Sequence, residues 1–194
     1  MEGYKFKIDG SALKDGVPLP LAISALESFQ SIVDKTYLIS SNKKTITAKE
    51  REKFVLKATE FKHGSLLTYF DIAMQGVQLG LPLVSTFGPQ NIWDYTKETY
   101  SLLRIVCGAV QKGIEPKYEF NNEGDVDLTI GDTHYHYHAP VIQIGKMALS
   151  NYQDLAHLLD PKKLNEISAG PRNQENQIYI LVKMIDQLLT YQLK

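Results

Sequence analysis

The chain has 194 residues, a formal net charge of −1, 43% hydrophobic and 22% charged residues. This length buries a core without covalent staples and suits one domain or a domain plus a small appendage. The near-neutral balance offers no electrostatic drive toward nucleic acid or an anionic membrane, and the single cysteine, Cys107, excludes an intrachain disulfide framework.

Tyr4, Phe6 and Ile8 alternate with Lys5 and Lys7, which predicts a first strand closed by Gly10. Pro18 and Pro20 open a helix, because proline is tolerated in a first turn. Leu26, Phe29, Val33 and Tyr37 recur at helical spacing, widened by Ala22 and Ile32, and carry that helix to about Leu38. Thr47 with Glu50 matches a capping box and predicts a short helical turn over 48–53. Residues 54–62 and 65–74 read as two strands joined at His63-Gly64. The second is nearly continuously apolar, as in a central strand covered on both faces.

The apolar-leaning run 72–87 carries Gln75, Gln78, Gly76, Gly80 and Pro82. It is too short and too polar for the roughly 20 apolar residues of a membrane span. It is expected to be a strand end followed by a loop or short helix, and contact with a membrane surface through 72–90 is the lesser alternative. Pro89 then opens a second long helix. Ile92, Thr96, Thr99, Leu103, Val106 and Val110 form one stripe, Trp93, Tyr100 and Cys107 an adjacent one, and Gly113 is placed to stop it. Tyr118 and Phe120 fall on an edge segment.

Residues 124–138 (GDVDLTIGDTHYHYH) form the densest polar constellation. Glycine at the first central position marks Gly131-Asp132 as a type II′ turn. That turn pairs Ile130 with Thr133, Leu128 with Tyr135 and Val126 with Tyr137 on an apolar face. The opposite face pairs Thr129 with His134, Asp127 with His136 and Asp125 with His138. A slip of one residue would expose the apolar set, which protects the register.

After Pro140, residues Val141, Ile142 and Ile144 are expected to extend a strand or pack as a loop. Ser150 with Gln153 matches a capping box opening a helix to Leu159. Residues 168–176 (SAGPRNQEN) look like a linker. Ile178, Leu181, Val182, Ile185, Leu188 and Leu189 then form one face of a terminal helix. The expected organisation is an α+β domain over 1–167, a linker-like segment over 168–176 and an amphipathic helix over 177–194. That helix would dock on the domain or bind a partner. The fold class is a mostly antiparallel sheet with helices packed on it, in the order β-α-β-β-α-β-β-α-α. The uncapped end fits a fraying tail or a piece of a longer protein.

The chemistry with a geometric basis is metal binding on the Asp–His face. Alternate strand residues point the same way, so His134, His136 and Asp127 can offer two imidazoles and a carboxylate to one ion, with His138 on the same face. His134 and His138 lie about 13 Å apart along a strand and cannot easily share an ion. Asp125 or Thr129 would then act from behind the ligands. A plainer account of the same residues is opposed Asp–His pairs on a solvated sheet, worth ~0–1 kcal/mol each and raising the histidine pKa values. The chain has no G-x-x-x-x-G-K-[ST], G-x-S-x-G, C-x-x-C or H-E-x-x-H.

The segment GSLLTYFDIAM, followed by an apolar stretch and a helix starting near PQNIWDYTKETYSLL, resembles an uncharacterised bacterial and phage family with no assigned function. The resemblance covers residues 1–160. It implies a prokaryotic or phage source and an intracellular protein, and it carries no catalytic residues across. Small proteins of this kind often act in host–phage conflict.

The leading expectation is therefore a cytoplasmic, non-enzymatic interaction protein that engages a protein partner or itself, with no nucleic acid, no transmembrane segment and no required cofactor. The first alternative is a metal-binding protein or metal-dependent hydrolase holding zinc or manganese on the Asp127, His134, His136 and His138 face. The second is a binding module for a small nucleotide-type ligand.

Overall fold

The computed structural model describes residues 3–62, 66–74, 89–158, 164, 166–172 and 179–180. It is an α+β fold of two antiparallel sheets with helices packed on them. In chain order the elements are β1 (Tyr4–Asp9), a 3-10 turn (Ser11–Leu13), α1 (Leu19–Ser40), α2 (Ala48–Lys53), β2 (Phe54–Lys62) and β3 (Leu66–Met74). There follow α3 (Pro89–Gln111), β4 (Lys117–Phe120), β5 (Val126–Ile130), β6 (Thr133–Tyr137), α4 (Ala139–His157), β7 (Glu166–Pro171) and β8 (Tyr179–Ile180). One sheet runs β2-β3-β1-β7-β8 and the other β4-β5-β6.

The first strand becomes the middle of the larger sheet. Tyr4, Phe6 and Ile8 are almost fully buried, and β1 pairs with β3 on one side and β7 on the other. Phe6 stacks on Phe29 of α1 with ring centroids 4.6 Å apart. α1 starts behind Pro18, and its buried stripe includes Phe29, Ile32, Val33 and Tyr37, as the spacing predicted. Thr47 Oγ1 accepts the Glu50 backbone N–H at 3.2 Å, so the N-cap half of the expected capping box forms. The Glu50 carboxylate accepts instead from the Tyr37 hydroxyl and Lys43, tying α2 to α1.

α3 serves both sheets. Trp93, Tyr100, Leu103 and Cys107 join the larger core, while Leu102 and Val106 meet Leu128, Tyr137 and Val141 under the smaller sheet. Gly113 takes φ +71 and ends the helix. Its N–H donates to Val110 O and that of Ile114 to Ala109 O, the paired bonds of a Schellman stop. Burial pushes the Cys107 thiol up to about 11, which fits a packing residue and not a nucleophile.

Four expectations are corrected. β3 lies inside the sheet but alternates buried and half-buried residues, so helices cover one face only. On its other face the Arg172 guanidinium lies 4.5 Å over the Tyr69 ring. α4 begins at Ala139, with Pro140 in its first turn, and not at Ser150. Val141, Ile144, Ala148, Tyr152 and Leu155 are its buried stripe, so the Ser150/Gln153 match falls mid-helix.

The stretch read as a linker from residue 168 supplies most of β7, with Ser168, Ala169 and Gly170 buried beside β1. Tyr179 and Ile180, expected in the terminal helix, are strand and pair with Ala169 and Ser168. Aromatic and β-branched residues suit that role once a neighbouring strand edge is open. Ile178, Leu181, Val182, Ile185, Leu188 and Leu189 lie outside the described residues, as do His63-Gly64 and residues 75–88. No helix among the described residues is long and apolar enough to cross a membrane.

The 124–138 hairpin forms in the expected register, from Ile130↔Thr133 through Asp127↔His136 to Val126↔Tyr137. Gly131 has φ +58 and Asp132 has no positive φ, as a type II′ turn requires. A Cβ at Gly131 meets nothing within 4 Å, so the strain of a substitution there is purely backbone. Gly131→Ala is expected to cost about 1–2 kcal/mol in unfolding free energy, measured by urea denaturation.

Candidate metal centre

The polar face of the hairpin is built from local turns and one long-range anchor. Asn121 starts it: its Oδ1 accepts the backbone N–H groups of Glu123 and Asp125, each at 2.9 Å. Gly124 completes the turn at φ +83 and delivers Asp125 to the start of β5. Asp125 also lies against the N-terminus of α4, where its Oδ1 accepts the Ala139 backbone N–H at 3.0 Å. The carboxylate thus satisfies an orphan donor of the helix and sits in its positive field. With a side chain only 16% exposed, it is held in one orientation.

Its second oxygen faces two imidazoles. Asp125 Oδ2 accepts from His138 Nδ1 at 3.3 Å, a proton that a bound ion would displace, and lies 3.7 Å from His136 Nε2. The two rings stand edge to face with centroids 5.5 Å apart. Ligand atoms of Asp125, His136 and His138 all fall within 4.8 Å of one another. For comparison, ligands about 2.0–2.1 Å from a tetrahedral zinc sit about 3.3 Å apart.

Behind this cluster, Asp127 Oδ1 accepts from His136 Nδ1 at 2.8 Å. A carboxylate can only accept, so the Nδ1 proton belongs to that bond. The neutral His136 ring then presents the Nε2 lone pair to Asp125 Oδ2, and two acceptors confront each other. A proton or a metal ion between them resolves the conflict. Asp127 accordingly holds the His136 pKa above its ordinary value, assisted by Asp125. The Asp125 pKa is lowered, first by the Ala139 N–H and then by the neighbouring imidazoles.

The structure therefore brings together His136 and His138 from the expected set and adds Asp125 as the carboxylate. Asp127 moves to the position behind His136. His134 departs from the cluster, its Nδ1 lying 2.9 Å from Thr129 Oγ1. In place of the expected His134 and His136, the converging pair is His136 on β6 and His138 just beyond it at the start of α4. The signal that would have found it is the helix start at Ala139, which anchors Asp125. His157 sits exposed in the last turn of α4, away from this cluster in the chain.

A narrow cleft lined by Phe29, Ile32, Trp93, Thr96, Tyr100 and Tyr152 lies among the helices of the larger core. Its walls are mainly aromatic and aliphatic, and Lys97 is the charged side chain among them. Comparison with known protein families, with curated proteins and with solved structures finds no match to this chain.

Proposed function

We propose that the protein binds a divalent transition-metal ion through Asp125 Oδ2, His136 Nε2 and His138 Nδ1. The observation that carries this reading is the Asp127–His136 bond, which commits Nδ1 and aims the Nε2 lone pair at a carboxylate already fixed by Ala139. A carboxylate behind the coordinating imidazole is the usual way a protein sets the tautomer and raises ligand basicity. Two imidazoles and one carboxylate favour zinc, nickel or iron(II) over calcium or magnesium, and leave positions open to water. The His136 and His138 side chains are 51% and 60% exposed, so the open positions face solvent and not an enclosed reaction chamber. That supports a binding role over hydrolysis, in line with a non-enzymatic protein.

Titration calorimetry with zinc and nickel tests it. One ion per chain is expected. His136→Ala and His138→Ala should each weaken binding beyond the about 10–100-fold typical of losing a partner behind a ligand, and Asp127→Asn within that range. His134→Ala should bind as wild type does. Absence of heat with either ion, or loss of binding in His134→Ala, would overturn the assignment.

A further inference from the structure

The β4 edge carries a second inference, independent of the metal centre. β4 is hydrogen-bonded to β5 on one side and to no strand on the other among the described residues. All four of its residues are exposed, with Phe120 at 66%. Opposed residues share a face, so Tyr118 and Phe120, opposite Leu128 and Val126, continue the apolar side of the sheet onto β4. Lys117 and Glu119, opposite Thr129 and Asp127, lie on the Asp–His side. Glu119 directly opposite Asp127 is a like-charge pair, unfavourable by itself.

We propose that β4 pairs antiparallel with β4 of a second copy of this chain, joining the two three-stranded sheets into one of six strands. Among registers that pair the full length of β4, the one centred on Tyr118 satisfies both faces. With Tyr118 opposite the second copy's Tyr118, each Lys117 meets a Glu119 and each Phe120 meets a Pro116. The charge row across the interface then runs Lys117, Glu119, Asp127, His136, and a lysine relieves the like-charge pair. Centring on Glu119 would oppose two glutamates, and centring between 118 and 119 would set apolar side chains against charged ones. The contact is isologous, so it closes as a dimer and does not propagate.

Two other edges among the described residues resist such pairing. β2 carries a bulge between Ala58 and Glu60 flanked by charges, and self-pairing of β6 would bring its histidines together. Four residues a side make a small interface, so the dimer is weak and concentration-dependent.

Sedimentation velocity on the full chain tests this, across a dilution series reaching millimolar protein, with EDTA throughout so that a metal-bridged dimer cannot contribute. The expected result is a reversible rise from monomer toward twice the monomer mass. Lys117→Glu and Glu119→Lys each oppose like charges twice across the twofold axis and should weaken association about tenfold. The double variant Lys117→Glu/Glu119→Lys restores both pairs and should return association to near wild type. Circular dichroism confirms that each variant is folded. A wild type that stays monomeric, a dimer indifferent to the single reversals, or a double variant that fails to recover each overturns the proposal. None of these outcomes bears on metal binding.

Discussion

Phe6→Ala is expected to remove about 3–5 kcal/mol of unfolding free energy, read as a fall in the urea midpoint at unchanged slope. The ring is fully buried and stacks on Phe29, on the middle strand of the larger sheet. Its cross-strand neighbours are Thr68 and Ala169, both small, so neither can swing in to fill the space the ring leaves. The cost is therefore the lost transfer of the ring plus a cavity that does not collapse. Domains of this size hold about 5–15 kcal/mol in all, so the variant should sit near the threshold of folding at 37 °C. Lys5→Ala, on the other face of the same strand, should stay within about 0.5 kcal/mol of wild type. A loss below about 1 kcal/mol for Phe6→Ala would mean that β1 does not centre the core.

Metal affinity is expected to fall by more than about tenfold between pH 7 and pH 5 through His136 alone. The ion needs the neutral ring, and below the folded pKa each pH unit removes about nine-tenths of it. That pKa is raised by the bond to Asp127 and by the charges of Asp127 and Asp125, so the fall begins above the ordinary value of about 6.5.

In the metal-free protein, linkage acts in the opposite sense. The His136⁺ contribution to stability is fully present below the unfolded pKa of about 6.5 and is lost as pH rises through the folded value. The Asp125 contribution is present above its unfolded value of about 3.9 and is lost as pH falls through the lowered folded value. Both are present between about pH 4 and 6.5, where the metal competes worst. Asp127→Asn keeps an acceptor for Nδ1 but removes the charge, and should move the His136 titration seen by NMR toward lower pH. Calorimetry showing equal affinity at pH 5 and pH 7 would sink the proton–metal competition.

Local order was legible where a short pattern decides it alone. The hairpin register followed from Gly131 and a period of two, because a two-residue turn leaves one pairing that buries Val126 and Leu128. The starts of α1 and α3, the Thr47 cap and the Gly113 stop followed from proline, hydroxyl and glycine chemistry within one turn of each helix end. The start of α4 was missed because Ser150-Gln153 imitates a cap, while the true boundary rests on His138 and Pro140 with no side-chain cap bond.

The alternation of β1, the two long amphipathic helices and an Asp–His face on one hairpin are legible in the chain before it folds. Each is a matter of spacing along the chain. The place of β1 at the centre of its sheet, and of 166–171 as a strand beside it, comes from long-range packing. Ser168, Ala169 and Gly170 read as a linker because they are small. Small residues suit that place, where large rings such as Phe29, Trp93 and Tyr152 line a cleft with Ala169. The choice of Asp125 over Asp127 as the converging carboxylate was likewise tertiary. Both aspartates alternate correctly on β5, but only Asp125 reaches the Ala139 N–H of a helix whose start the sequence concealed.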